Sequence, residues 1–127
     1  MRKRLNRWKP LLKRLFVIKD NNEILGVFAL IQGIDPCYLN IEGQWLNDNE
    51  YITIHRLASS FKRKGIFHQV VEYIKDNYKL DIRIDTHKNN TSMIKAIEHE
   101  GFVYTGIIYV NNSSEHSPRN AYQLTCF

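Results

Sequence analysis

The chain has 127 residues, a length that fits one domain built around a single hydrophobic core. Its composition, 43% hydrophobic and 24% charged, is that of a globular protein and excludes a disordered chain. Lys and Arg outnumber Asp and Glu by 18 to 13, and the formal net charge of +5 favours anionic partners. It does not choose among a phosphate cofactor, nucleic acid and an acidic surface.

The first fourteen residues form a basic segment that contains no acid. Apolar residues in it and just after it fall at helix-like spacing, and they are Leu5, Trp8, Leu11, Leu12 and Leu15. Pro10 would break a helix in its interior, so the pattern predicts a short, imperfect amphipathic helix or one that begins near Pro10. A solvated basic face over a few core leucines is the first interpretation, and a contact with nucleic acid or a membrane is the alternative.

Residues 14–34 predict a hairpin, because two β-rich runs flank Asn21-Asn22 and Asn tolerates the positive φ of tight turns. Residues 35–50 carry turn residues without a sustained period, which indicates a loop. Alternation over 51–59, YITIHRLAS, predicts a strand. One of its faces carries Tyr51, Thr53, His55 and Leu57, and the other carries Ile52, Ile54, Arg56 and Ala58.

A helix is predicted after a loop with three consecutive cations, and its apolar stripe consists of Ile66, Val70, Val71, Ile74 and Tyr78. A strand follows over 80–87, then a second helix with Asn90 or Thr91 as its N-cap and Gly101 as its stop. Two further strands, 102–110 and 121–127, are separated by a polar loop over 111–120.

The predicted order is therefore (helix)–β–β–β–α–β–α–β–β within one domain, 1–127. A central β–α–β unit requires parallel strands, whereas the hairpin and the final strand pair predict antiparallel edges. The fold class is α/β, with a mixed, mostly antiparallel twisted sheet. The two cysteines, Cys37 and Cys126, lack zinc-finger spacing, and no apolar run approaches the roughly 20 residues of a membrane span. We expect reduced thiols, no metal site, no membrane contact and a cytoplasmic protein.

The stretch HRLASSFKRKGIFHQV, residues 55–70, joins a strand end, a cationic loop and a helix start. Such a junction is suited to an anion, since the first N–H groups of a helix are unpaired and its N-terminus is partly positive. Neither a Walker loop nor a G-x-G-x-x-G fingerprint is present. Residues 62–67, KRKGIF, resemble the acetyl-CoA loop of the GNAT superfamily of N-acetyltransferases, [QR]-x-x-G-x-[GA]. Lys62 stands at the position of Gln or Arg, and Phe67 stands where a small residue is usual.

The downstream stretch IRIDTHKNNTSMIKAIEHEGFVYTGIIYV is similar to the second half of the same superfamily, so the resemblance covers residues 15–127. It implies a GNAT-like acyl-CoA N-acyltransferase fold with a central β-α-β-α core and acetyl-CoA as cosubstrate. Asn90 and Met93 match positions that face the pantetheine and the thiol, and Gly101-Phe102 match the Gly-Phe after the helix. The implied cofactor-binding residues are Leu57, Ala58, Ser59, Lys62, Arg63, Lys64, Gly65, Ile66, Phe67, His68, Asn90 and Met93.

Two further departures from the family pattern concern the chemistry. Ile97 stands where many members carry a Tyr that protonates the leaving thiolate. Only residues 1–14 precede the hairpin, whereas members usually open with a strand and two helices that wall the acceptor side. We therefore expect a shortened member, or a partner chain that supplies the missing wall.

Candidate catalytic groups follow from the chemistry of amide formation, which needs a base, an oxyanion donor and an acid. His55 is the candidate base, with a role in supporting the sheet as the alternative. Asp85 and His87 share a face and could pair, or could simply end a strand in solvent. Tyr109, or Tyr104, is the candidate acid, with packing as the alternative. Arg119 is assigned a structural role, with contact to an acidic substrate as the alternative.

The sequence predicts an acetyl-CoA-dependent N-acetyltransferase that moves an acetyl group to an amine of a small molecule or protein by direct attack in a ternary complex. The alternative is a CoA-binding protein of the same fold without efficient catalysis. A basic nucleic-acid-binding protein is a lesser alternative, because no RNA-binding pattern of aromatics is present. An uncovered sheet edge also predicts a homodimer, with the N-terminal segment or the final strands at its interface.

Overall fold

The computed structural model describes residues 12–59, 65–112 and 115–126. These ranges contain seven strands, two α-helices and one short 3-10 helix. In chain order they are β1 (Leu12–Asp20), β2 (Glu23–Gln32), the 3-10 helix (Pro36–Tyr38), β3 (Ile41–Gly43), β4 (Tyr51–Ser59), α1 (Ile66–Asn77), β5 (Asp81–Thr86), α2 (Thr91–His99), β6 (Val103–Asn112) and β7 (Glu115–Leu124).

The strands form one sheet in the order β1-β2-β4-β5-β7-β6-β3. The pair β4–β5 is parallel and is connected through α1, while the other described pairs are antiparallel. The predicted mixed, mostly antiparallel sheet with a central β–α–β unit is therefore confirmed. The two last strands are not edges, however, because β7 lies between β5 and β6, and β3 follows β6.

The predicted hairpin is confirmed, and its turn is made by the two asparagines between β1 and β2. Asn21 has a φ of 56°, the left-handed conformation that Asn adopts more readily than most residues. Across the hairpin the ring of Phe16 stacks on that of Phe28 at a centroid distance of 5.2 Å. The strand β1 thereby joins its inner face to the core under α1.

Three expectations from the sequence are wrong in part. Leu12 and Leu15 lie in β1, so the helix does not extend over them, and the remainder of the basic segment lies outside the described residues. The loop over 35–50 contains the 3-10 helix and β3. Most of the polar loop over 111–120 belongs to β6 and β7, which pair as far as Asn112 and Glu115. Polar composition misled here, because the backbone hydrogen bonds that pair two strands need no apolar alternation.

Both helices pack their apolar stripes on the same core. Val70, Val71 and Ile74 of α1 are buried, as are Met93 and Ile97 of α2. These side chains join Ile52, Ile54, Ile82 and Ile84 of the two parallel strands in one cluster. A smaller second cluster contains Tyr38, Tyr51, Ile108 and Ala121. Within the described residues, no helix is both long and apolar enough to cross a membrane.

Candidate active site

The two parallel strands separate at their carboxyl ends. Register pairs run from Tyr51 and Asp81 to Ile54 and Ile84, after which β4 continues to Ser59 and β5 to Thr86 without further pairing to each other. On the other side of β4, the register with β2 shifts between Arg56 and Ala58, which leaves one extra residue in β4. Such a bulge bends a strand and increases its twist. The backbone N–H and C=O groups that β4 and β5 direct toward each other at these ends are therefore available to a ligand.

A cavity of about 410 Å³ lies at this separation, within the size range of small-molecule sites. Its lining comes from four parts of the chain: the 3-10 helix, the ends of β4 and β5, the start of α2 and the hairpin of β6 and β7. The residues that line it are Asp35, Cys37, Tyr38, Ile54, His55, Ile84, Asp85, Thr86, His87, Asn90, Met93, Val110, Ser117 and Arg119.

Four of the residues assigned a catalytic or cofactor-binding role from the sequence meet in this cavity, namely His55, Asp85, Asn90 and Met93. The other two candidates that line it are His87 and Arg119. His55 directly follows Ile54, the last residue of β4 that pairs with β5, and it is exposed, so its ring is accessible from the cavity. Asn90 is the N-cap of α2, and its side-chain oxygen accepts the N–H of Met93 at 3.2 Å. The predicted cap is thus confirmed, and capping fixes the start of α2 beside the strand ends.

Asp85 is held by two groups that are remote in sequence. The Tyr38 hydroxyl donates to its Oδ2 at 2.5 Å, and Arg119 Nε donates to its Oδ1 at 2.6 Å. Burial raises the pKa of Tyr38 well above its usual value, and the charge of Asp85 and their hydrogen bond raise it further. Tyr38 therefore keeps its proton. The negative charge of Asp85 is balanced by the guanidinium of Arg119, which also lines the cavity.

This arrangement corrects the expected pairing of Asp85 with His87. His87 also lines the cavity, but its Nδ1 accepts the backbone N–H of Asn89 at 3.1 Å. The reason is local: the chain turns sharply between β5 and α2, so that the imidazole caps the turn. Asp85 binds Tyr38 and Arg119 instead, which are more distant in sequence. The ion pair with Asp85 is consistent with the structural role predicted for Arg119.

The two candidate acids from the sequence lie elsewhere. The hydroxyl of Tyr109 donates to Glu42 Oε2 at 2.9 Å, an exposed hydrogen bond that raises the pKa of Tyr109. Neither Tyr109 nor Tyr104 lines the cavity. The Tyr104 ring packs edge-on against that of Tyr122 at 5.6 Å. Ile97, at the position where many family members carry Tyr, is fully buried in the core.

The predicted anion loop is described only from Gly65 onward, since residues 60–64, with Lys62, Arg63 and Lys64, lie outside the described residues. The side chains of Leu57, Ala58 and Ser59 lie outside them too, although their backbone belongs to β4. Gly65 has a φ of 84° and precedes α1, whose first turn has no acidic residue and receives no side-chain cap. A Cβ built on Gly65 would meet no heavy atom within 4 Å. This open, uncapped helix start fits a pyrophosphate group.

The next residues of α1, Ile66, Phe67 and His68, continue this turn. Ile66 and Phe67 are half-buried, and the Phe67 ring packs against that of Phe102 with centroids 5.9 Å apart. His68 Nδ1 lies 2.8 Å from Glu100 Oε1 at the end of α2. Phe67 therefore directs its ring toward the core, and His68 links the two helices.

The loop that supplies Asp35 and Tyr38 is fixed by hydrogen bonds to Tyr51 and Trp45. The Tyr51 hydroxyl accepts the Asp35 N–H at 2.9 Å, and Trp45 Nε1 donates to the Tyr38 carbonyl at 2.9 Å. The Arg83 guanidinium lies over the rings of Trp45 and Tyr51, at 4.1 and 3.9 Å. Sequence reasoning missed these residues because residues 35–50 have no period that would reveal them. The turn signal Asp35-Pro36 was the only local indication.

Among the described residues, no group of three or more His, Cys, Asp or Glu side chains is arranged to hold a metal ion. Cys37 and Cys126 form no disulfide within those residues. Burial raises the pKa of the Cys126 thiol.

Solved structures of several other proteins resemble this fold. The chain is similar to an acetyltransferase of the GNAT family from Streptococcus agalactiae, with 31% identity, a TM-score of 0.72, and 84% of this chain aligned to 62% of that protein. It is also similar to RimL, a ribosomal L7/L12 alpha-N-protein acetyltransferase in complex with coenzyme A, with 15% identity, a TM-score of 0.61, and 91% of this chain aligned to 64% of that one.

The third is a chimeric spermidine N-acetyltransferase from Vibrio cholerae and hSSAT, with 16% identity, a TM-score of 0.55, and 88% of this chain aligned to 66% of that one. The present chain thus spans less than two thirds of the length of each of these proteins. No protein-family model and no curated protein matches the sequence.

Proposed function

Because this chain belongs to the GNAT superfamily, we propose that it is an N-acetyltransferase that binds acetyl-CoA and transfers the acetyl group to an amine. The observation that carries the proposal is the separation of β4 from β5 beyond Ile54 and Ile84, with a polar cavity between the strand ends. Strand ends that leave backbone N–H and C=O groups unpaired suit an extended amide-containing ligand such as pantetheine.

The position of α1 supports the same ligand. Its uncapped start at Gly65 follows the end of β4 after a short cationic loop, so pyrophosphate bound there leads into the space between the strands. Asn90 and Met93 line the cavity opposite β4, where the thioester end of the cosubstrate is proposed to lie.

The reaction then proceeds by direct attack in a ternary complex. The amine nitrogen attacks the thioester carbonyl, the C–N bond forms and the C–S bond breaks. His55 takes the proton that the amine loses, directly or through water, and the departing thiolate takes a proton from solvent water. Backbone N–H groups at the end of β4 stabilise the negative charge that develops on the carbonyl oxygen. Asp85 is committed to Tyr38 and Arg119, so it shapes the cavity and does not act as a base.

A CoA-binding protein without efficient catalysis is the second candidate. A specific observation favours it: Ile97 is buried in the core, and the tyrosines proposed as replacement acids lie outside the cavity lining. Thiolate protonation would then depend on water. Residues 1–11 of the basic N-terminal segment, on which a nucleic-acid-binding function depends, lie outside the described residues.

The deciding experiment combines binding and turnover. Titration calorimetry with acetyl-CoA and with a short RNA tests the ligand class, and release of CoA thiol over a library of amines tests catalysis. His55→Gln is expected to lower kcat by about 10²- to 10⁴-fold with acetyl-CoA affinity retained. His99→Gln, an exposed change on α2, is the matched control. Acetyl-CoA binding without thiol release for any amine would favour the second candidate, and binding of RNA alone would contradict both.

We further propose a cytoplasmic homodimer. The location rests on two cysteines that form no disulfide in the described part of the chain. The assembly rests on exposed apolar side chains of the edge strand β1, which a second copy would cover.

A further inference from the structure

Asp35 is the carboxylate of the cavity that lacks a cation. Its Oδ1 accepts the backbone N–H of Cys37 at 2.9 Å, which caps the 3-10 helix. Over residues 12–59, 65–112 and 115–126, no Lys, Arg or His forms an ion pair with it. Asp35 lines the cavity and is only half-buried, so its carboxylate is placed to meet a ligand there.

The charges in the lining of the cavity distinguish the Asp35 carboxylate from that of Asp85. The lining contains two Asp and one Arg, together with two His. The Arg119 guanidinium is bonded to Asp85 through Nε at 2.6 Å, and Tyr38 donates to the same carboxylate. Among the described residues of the lining one negative charge therefore remains, and it lies near Tyr38, at the end of the cavity formed by the 3-10 helix. A carboxylate facing a partly enclosed space favours a cationic guest.

We propose that the cavity selects an acceptor that carries a second positive charge besides the amine that is acetylated, and that Asp35 binds this second charge. The inference rests on the proposed N-acetyltransferase function. The reacting amine has to lose a proton before it attacks, and a carboxylate beside it would raise its pKa and oppose that loss. A second ammonium keeps its proton throughout the reaction, so its pairing with Asp35 persists from binding to product.

Asp35 is thus a specificity-determining residue and not a proton carrier. It orients the acceptor so that the free amine at the other end points toward His55, while the C–N bond forms and the C–S bond breaks as described above. Arg119 gives a competing basis for selection, since an acceptor carboxylate could approach its remaining N–H groups. The ion pair with Asp85 makes this the weaker attraction.

The experiment uses three acceptors of similar length that differ at the far end: linear diaminobutane with a terminal ammonium, butylamine with a methyl group, and aminobutyrate with a carboxylate. Asp35→Asn removes the charge but keeps an oxygen that caps the 3-10 helix. Asp76→Asn, an exposed change on α1, is the control for net charge. We expect diaminobutane to have the lowest KM of the three. Asp35→Asn should raise that KM by roughly tenfold with kcat little changed and with butylamine unaffected.

Binding of diaminobutane to the complex with CoA, measured by calorimetry, gives a readout that does not depend on turnover, and it should weaken by the same factor in Asp35→Asn. Equal KM values for the three acceptors, a preference for aminobutyrate, or an unchanged KM for diaminobutane in Asp35→Asn would overturn the inference and leave the acetyltransferase function standing. Absence of acetyl-CoA binding, or of acetylation of any amine, would instead reject the proposed function and the inference with it.

Discussion

Gly65 combines a positive φ with open space. Its φ is 84°, and an added Cβ would meet no heavy atom within 4 Å, so a side chain there is opposed by backbone strain and not by a clash. Gly65→Ala should therefore lower the free energy of unfolding by only about 1–2 kcal/mol. If pyrophosphate approaches this backbone, the same variant should lose most of its affinity for acetyl-CoA in a calorimetric titration.

Gly101 supplies the matched control for that variant. It has a φ of 94° after α2, and an added Cβ would make only ordinary contact with Leu124, at 3.7 Å. Gly101→Ala should therefore carry a similar strain and bind acetyl-CoA normally. Normal affinity in Gly65→Ala as well would mean that the phosphate groups are bound elsewhere.

Tyr38 predicts a dependence of stability on alkaline pH. Its pKa is raised in the folded protein, mainly by burial, whereas in the unfolded chain the phenol ionises near its ordinary value of about 10. Above about pH 10 the unfolded state thus binds fewer protons than the folded state, and the free energy of unfolding falls as pH rises, by up to about 1.4 kcal/mol per pH unit for this group. Urea unfolding from pH 8 to 11 should show a shallower decline in Tyr38→Phe. Parallel curves would show that Tyr38 titrates normally.

Among single residues, His55, Asp85, Asn90 and Met93 were selected from the sequence, and all four line one cavity. The selection succeeded because the carboxyl ends of parallel strands and the helix that follows them converge at one edge of the sheet. It did not place Asp85 against Tyr38 and Arg119. Those contacts span 47 and 34 residues, and no local pattern encodes the approach of a loop without a period to a strand end.

Phe67 joins two elements, since its ring on α1 packs against Phe102 after α2 and belongs to the border of the main core. Phe67→Ala should therefore lower the free energy of unfolding by roughly 1–3 kcal/mol and leave the dissociation constant of acetyl-CoA unchanged. The family pattern, with a small residue at this position, predicts the opposite: tighter binding and an unaffected melting temperature. Thermal unfolding and calorimetry on the same sample distinguish the two.

Among the elements, those with a clear apolar period were predictable and those without one were not. The strand β4 and the helix α1 carry clear apolar periods, because each packs one stripe on the core. The strand β3 has only three residues, and Gly43 and Gly106 pair there with backbones so close that an added Cβ on either would lie within 2.3 Å of a carbonyl oxygen. That close approach, and not a side-chain pattern, fixes β3 against β6.

For the whole molecule, connectivity constrained the fold more than composition did. One β–α–β unit forces a parallel pair, and the tight β1–β2 and β6–β7 hairpins force antiparallel pairing of their own strands. The order of the strands across the sheet did not follow from the sequence, because the insertion of β7 between β5 and β6 depends on a long-range choice of partner. Of the two predicted edges, the hairpin at β1 is confirmed, whereas the final strand pair is wrong because β3 lies outside β6.

The edges of the sheet place the expected dimer contact at β1. The strand β1 is an edge of the described sheet, and three of its apolar side chains, Leu12, Leu15 and Val17, are 52%, 63% and 51% exposed. Edge backbone with apolar side chains favours association, so light scattering at micromolar concentration should give about twice the monomer mass of 15.1 kDa. Leu15→Lys with Val17→Lys should shift the mass toward 15.1 kDa with the circular dichroism spectrum retained. Val103→Lys, exposed on β6, is the control. A monomer mass for the unmodified chain across a dilution series would exclude the dimer.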